Sequence, residues 1–204
     1  MTSYTMNKSK IFPILLAAGK PPRLPFPKAL AEFAGSTAIE IAVKNCQGLE
    51  RPIVVLGYRA GRLRRAIRCP ARFTVNRKWR TGQLSSLLAG LRKVPRDGAL
   101  LIYPVDLVFL TPGTIRGLVA AFRRRTARQA IVMPVCRRRD GHPVILAPEL
   151  RRELRSAKTA REVVNRDARR IKRVRVQTFA IWKDFDTPAS YARLRREFTR
   201  HRIG

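Results

Sequence analysis

Carboxylates are scarce in this chain of 204 residues: 13 Asp plus Glu stand against 44 Lys plus Arg, a formal charge of +31. A field of that sign attracts polyanions, so non-specific association with RNA or DNA is expected at low salt. The arginine clusters at 62–68, 123–128, 137–139 and 151–175 lack the interleaved aromatics of a base-stacking platform. That lack argues against a dedicated nucleic-acid module, and the charge suits an anionic small substrate equally well. Histidine occurs twice, and Cys46, Cys69 and Cys136 are widely spaced with no CxxC. This argues against both a zinc site and a disulfide framework. Long apolar runs are missing too: Ala99 to Tyr103 and Leu107 to Leu110 stop well short of the roughly 18 residues that a bilayer crossing demands. No membrane-spanning helix is expected. The apolar stretch Ile11 to Ala18 runs into a glycine without a small-residue cleavage pattern, so no secretion signal is read and the cytoplasm is the expected compartment.

What is present is 45% hydrophobic residues in blocks, a globular composition, at a length that fits one domain over 1–204. Strand-like runs recur at Ile11 to Leu16, Ile53 to Leu56, Phe73 to Val75, Ala99 to Tyr103, Ala130 to Pro134, Pro143 to Leu146 and Val174 to Phe179. Between them lie helix-start signals. Thr37 with Glu40 and Thr159 with Glu162 have capping-box spacing, and Thr111-Pro112 and Thr187-Pro188 set a cap before proline. Strands apolar along their whole length are those buried on both faces of a parallel sheet, so alternating βαβ units predict a doubly wound α/β sandwich. Ligands in such sheets sit beyond the carboxyl ends of the strands, which directs attention to the residues after Leu16, Tyr103 and Phe179.

After the first strand comes Ala17-Ala18-Gly19-Lys20-Pro21-Pro22-Arg23-Leu24-Pro25-Phe26-Pro27-Lys28-Ala29-Leu30. Small residues let the backbone approach a ligand, and Arg23 and Lys28 bring two cations to the loop, as a triphosphate would require. The Gly spacing fits neither a Walker loop nor GxGxxG. A proline-stiffened surface loop with incidental basic residues is the bland alternative. Asp106 is the only charge between Ala99 and Leu110 and stands at the end of an apolar strand, so it needs a partner, whether a metal, an arginine or the helix begun at Thr111. Asp184 and Asp186 flank Phe185, so on an extended segment both carboxylates point to one side.

Leu16-Ala17-Ala18-Gly19, Arg23 and Pro27-Lys28-Ala29-Leu30 resemble the signature LAAGxSxRxGxPKxL of the MobA-like nucleotidyltransferases, in particular the molybdenum cofactor cytidylyltransferase branch. Asn76 to Leu87 with Gly90-Leu91 resembles its NxxWxxGxxxSLxxGL; Pro104-Val105-Asp106, Gly141-His142-Pro143 and Asp184-Phe185-Asp186-Thr187-Pro188 come after it in the same order. The resemblance implies a Rossmann-like, mostly parallel sheet in a three-layer α/β/α sandwich, nucleotide-diphospho-sugar transferase-like. It implies transfer of CMP from CTP, or a nucleotide from another NTP, to an anionic phosphorylated acceptor such as molybdopterin, with release of pyrophosphate. A molybdoenzyme is the implied protein partner.

By the same resemblance, Leu16, Ala17, Ala18, Gly19, Gly82, Ser85 and Ser86 form the nucleotide site. Arg23 and Lys28 meet the phosphates, Asp106 and Asp186 hold Mg²⁺ with Asp184 as a neighbour, and His142 lies on the substrate side. Trp79 has the bland alternative of anchoring its loop. Two departures fall in the phosphate loop: Pro21 stands where the family has Ser, and Pro25 where it has Gly. Proline offers no N–H, and each lost donor to a charged phosphate costs roughly 1.5–3 kcal/mol. Leu107 and Val108 also replace the family's Gln and Pro. Triphosphate binding is expected to be retained but weakened. A sugar- or alcohol-phosphate nucleotidyltransferase, and a degenerate member that binds nucleotide, cofactor or a partner enzyme without turnover, are the alternatives.

Overall fold

The computed structural model of the protein describes residues 9–21 and 23–203. Apolar blocks become the strands β1 (Ile11–Ala17), β4 (Ile53–Leu56), β6 (Ala99–Pro104) and β7 (Ile131–Cys136), separated by the small β2 (Glu32–Phe33), β3 (Ser36–Thr37) and β5 (Arg72–Val75). After β7 come β8 (Arg139–Asp140), β9 (Val144–Leu146) and β10 (Ile171–Arg175). The sheet order is β10-β7-β9-β6-β1-β4-β5, with β8 paired to β7; β2 and β3 form a separate ribbon. All pairings along β6-β1-β4-β5 and between β10 and β7 are parallel, whereas β9 runs antiparallel between β6 and β7.

Consecutive residues of β4 are all fully buried, so both faces of the sheet are covered. The cover is helical: α1 (Ala38–Asn45) packs with α4 (Pro112–Arg123), while α3 (Gln83–Leu91), α5 (Arg151–Ser156) and α6 (Ala160–Asn165) pack in series. The short α2 (Ala60–Ala66) lies against β4, and α7 (Pro188–Ile203) against the β2–β3 ribbon. None of the helices among the described residues is long and apolar enough to cross a membrane.

Local chemistry sets the helix starts. Thr37 and Glu40 form a reciprocal capping box on α1, and Thr111 accepts from Thr114 N to cap α4. At α6, Thr159 accepts from Glu162 N, but the Glu162 carboxylate turns to Lys158 N, so that box is only half made. The pattern predicting a strand over 174–179 is displaced in the fold: β10 ends at Arg175, and Thr178 caps a 3₁₀ turn at Phe179–Ile181.

A second, smaller core is rich in aromatic rings. Phe33, Phe185 and Leu194 are fully buried with Phe26, Tyr191 and Phe198 around them, tying α7 and the β2–β3 ribbon to the segment that carries Asp184 and Asp186. Tyr191 fixes the contact by donating to Glu32 O at 2.9 Å and accepting from Glu32 N at 3.2 Å.

Candidate active site

The carboxyl ends of β1 and β6 lie side by side and open onto a cavity of about 450 Å³. One wall is Leu16 to Pro21, with Pro27, Lys28 and Ala29; a second is Trp79, Arg80, Gly82, Gln83 and Ser86; Pro104, Val105, Asp106 and Asp186 complete it. The two walls meet at Gly57. A Cβ there would stand 2.5 Å from Ala18 O and 2.7 Å from Trp79 Cβ, so only glycine permits the approach. Tyr58 N then donates to Ala18 O at 2.9 Å, holding the first loop in place. A Cβ at Gly19 would meet nothing within 4 Å, so glycine there leaves space beside the cavity and serves no close packing.

Asp106 finds its partner in Lys28. The ammonium donates to Asp106 Oδ2 at 2.7 Å and to Asp186 Oδ1 at 2.6 Å, uniting three residues that lie up to 158 positions apart. Burial opposes the charge on Lys28, but its pairs with Asp106 and then Asp186 outweigh that cost and hold the group above its ordinary 10.5. The Phe185 ring lies 5.7 Å from the same ammonium. Asp184 makes no bond to Lys28; its carboxyl is held above the usual range by desolvation first, then by the charges of Asp106 and Asp186. The loop carrying Asp106 is pinned from below. Asn45 donates to Tyr103 Oη at 3.0 Å and to Leu110 O at 2.7 Å, and the Tyr103 hydroxyl donates to Leu107 O.

Among the described residues, no group of three or more His, Cys, Asp or Glu is arranged to hold a metal by itself. The two carboxylates that converge on Lys28 are nonetheless the hard oxygen donors that Mg²⁺ takes when substrate phosphates supply other ligands. The donor set therefore fits a magnesium ion that arrives with a phosphorylated ligand.

The segment Asn76 to Leu87 is organised by Asn76, which is 4% exposed. Its amide donates to Ser85 Oγ at 2.8 Å and Ser86 Oγ at 3.0 Å, and its oxygen accepts from Lys78 N at 2.9 Å. Ser86 lines the cavity, but Ser85 does not: its hydroxyl is turned to Lys78 O and Gly82 O. Gly82 has φ 110° and ψ 174°, a conformation open in practice to glycine alone.

Arg23 is exposed, makes no ion pair among the described residues and is absent from the cavity wall. His142 also lies outside the wall. It is half-buried, its backbone N–H donates to Ile181 O, and burial holds its imidazole below the ordinary 6.5 although Asp106 and the Ile102 carbonyl favour the proton. Lys20, Arg80 and Gln83 line the cavity without any of the motif roles assigned from sequence.

Comparison with known proteins agrees with this architecture. The nicotine blue oxidoreductase of Paenarthrobacter nicotinovorans is 34% identical over 146 residues, 68% of this chain and 71% of that protein. The Rv0371c protein of Mycobacterium tuberculosis H37Rv superposes with a TM-score of 0.79 at 22% identity, over 92% of this chain and 98% of that one. Its complex with manganese superposes at 0.75, with 21% identity over 92% and 99% of the two chains. A CMP:2-keto-3-deoxy-manno-octonic acid synthetase complexed with CTP superposes at 0.74, with 14% identity over 95% of this chain and all of that one. At such identities the structural likenesses establish the fold: a mostly parallel sheet flanked by helices, nucleotide-diphospho-sugar transferase-like. The MobA-like NTP transferase domain matches residues 13–177, and the chain belongs to that nucleotidyltransferase family.

Proposed function

We propose that the protein transfers CMP from CTP to a phosphorylated acceptor, with Mg²⁺ as the cofactor and molybdopterin as the acceptor to test first. The observation that carries this reading is the convergence of Lys28, Asp106 and Asp186 beside the small-residue end of β1. An acceptor phosphate attacks the α-phosphorus of the nucleotide and pyrophosphate leaves, so no protein nucleophile is required. Asp106 and Asp186 would hold Mg²⁺, which would supply charge neutralisation on the phosphates. This chain's own part is alignment: the bare backbone at Ala17 to Gly19 admits the phosphates, and Lys28 adds a fixed cation. The manganese complex of the mycobacterial structure and the CTP complex of the synthetase support a metal and a nucleotide for this fold.

Pyrophosphate release with Mg²⁺, each of the four NTPs and molybdopterin tests the proposal, with Asp106→Ala as the blank. Release with CTP alone, abolished in the variant, is the expected result. Release with a different NTP would redirect the nucleotide assignment, and release only with a sugar or alcohol phosphate would redirect the acceptor. A second reading is favoured by the 34% identity to a protein named an oxidoreductase, together with Pro21 and Pro25 in the loop. On that reading the cavity takes the substrate of an oxidoreductase, with its electrons exchanged with an added donor or acceptor. Turnover of such a substrate without pyrophosphate release from any NTP would move the assignment there.

A further inference from the structure

The nucleotide reading gives the phosphates one cation, Lys28, and the positive charge facing the cavity is divided in a way that points to others. Lys28 is engaged by two carboxylates, so Lys28, Asp106 and Asp186 together carry a net negative charge suited to a divalent cation. Lys20 and Arg80 also face the cavity, and neither makes an ion pair among the described residues. Their charge is uncompensated where the phosphates would lie.

Both cations ride on one aromatic pair. The Arg80 guanidinium stacks 4.4 Å from the Trp79 ring centroid, and Lys20 Nζ lies 5.8 Å from that of Tyr58. Tyr58 and Trp79 meet edge to face at 5.6 Å, across the joint that Gly57 makes possible. Stacking fixes the direction of a flexible cation and lowers the entropy lost when it takes hold of an anion. By contrast, Arg23 has no such brace among the described residues and stands outside the wall, and the loop that carries it contains Pro21 and Pro25, which have no N–H to offer.

We infer that Lys20 and Arg80, and not Arg23, grip the phosphates of the ligand in this cavity, replacing with side chains the backbone donors that Pro21 and Pro25 remove. The inference rests on the nucleotide reading. It makes the two residues determinants of affinity for polyphosphate, and it leaves the Asp106 and Asp186 pair to the metal.

Equilibrium dialysis of Mg·CTP at several salt concentrations tests it, with the wild-type chain and Lys20→Met, Arg80→Gln, Arg23→Gln and Arg62→Gln. All four positions are exposed, so the variants are expected to fold, which circular dichroism checks. Lys20→Met and Arg80→Gln should each weaken binding about tenfold or more and flatten its dependence on salt. Arg23→Gln and the α2 surface control Arg62→Gln should stay within about twofold of wild type. Wild-type affinity in Lys20→Met and Arg80→Gln overturns the inference and spares the nucleotide reading. So does a loss largest in Arg23→Gln, whereas equal losses in all four variants would show a general field and also overturn it. No binding by the wild-type chain removes the nucleotide reading and the inference together.

Discussion

Replacing Asn76 with alanine removes the bonds that shape the cavity wall carrying Trp79, Arg80, Gly82 and Ser86. The side chain is 4% exposed and makes three hydrogen bonds, two to the serine hydroxyls that open α3 and one from Lys78 N. At a net value of roughly 1 kcal/mol each, their loss costs about 3 kcal/mol. For a chain of this size, about 2–4 °C of Tm is lost per kcal/mol, so a fall of about 6–12 °C is expected in a calorimetric melt. Lys78 N and the Ser86 hydroxyl lose their tie to β5, and only the Ser85 bonds to Lys78 O and Gly82 O still hold the turn that presents Trp79, Arg80 and Gly82, so Mg·CTP affinity should fall even below the melt. Ser85→Ala, which leaves the Ser86 and Lys78 bonds to Asn76 in place, should cost less than Asn76→Ala on both readouts. A Tm within about 2 °C of wild type for Asn76→Ala would refute the view that this asparagine organises the wall.

Other perturbations separate packing from chemistry. Gly57→Ala forces a Cβ to 2.5 Å from Ala18 O, and overpacking of this kind costs about 1–3 kcal/mol, with weaker nucleotide binding as the two walls part. Gly117→Ala in α4 meets nothing within 4 Å, and a melt should show it stabilised by about 0.5–1 kcal/mol. At His142 the folded-state pKa lies below the ordinary 6.5, so its contribution to stability is present above that value and is lost as pH falls through the folded one. His142→Asn should therefore flatten the decline of Tm on the acid side; an unchanged slope would show that other groups set it.

Much of this was legible from residue pattern, and the exceptions have physical causes. Uninterrupted apolar blocks specified β1, β4, β6 and β7 because a strand buried on both faces has no room for polar residues. The antiparallel insertion of β9 between β6 and β7 left no such mark, since a three-residue buried strand reads alike in either direction. Val174, Val176 and Phe179 predicted a strand to 179, but Thr178 captures Ala180 N and turns the chain into a 3₁₀ helix. At the site, the lone charge of Asp106 was visible as a residue in need of a partner, and Lys28 and Asp186 came from motif resemblance. That resemblance also assigned Arg23 to the phosphates and Ser85 to the nucleoside, whereas the structure leaves Arg23 in solvent and turns Ser85 to backbone carbonyls. Lys20 and Arg80 carried a weaker signal, as cations directly after Gly19 and two residues before Gly82. Their orientation depends on Tyr58 and Trp79, which no spacing rule brings together.

Nucleotide bound in the cavity between the β1 loop and the start of α3 would lie against Trp79, which reports on it directly. The chain has two tryptophans, and only Trp79 lines the cavity. In Trp182→Phe, Trp79 emission during titration with Mg·CTP should change saturably, and Asp106→Ala in the same background should abolish or strongly weaken the response. Unchanged Trp79 emission at saturating Mg·CTP, with a saturable change from Trp182 in Trp79→Phe, would place the nucleotide elsewhere in the molecule.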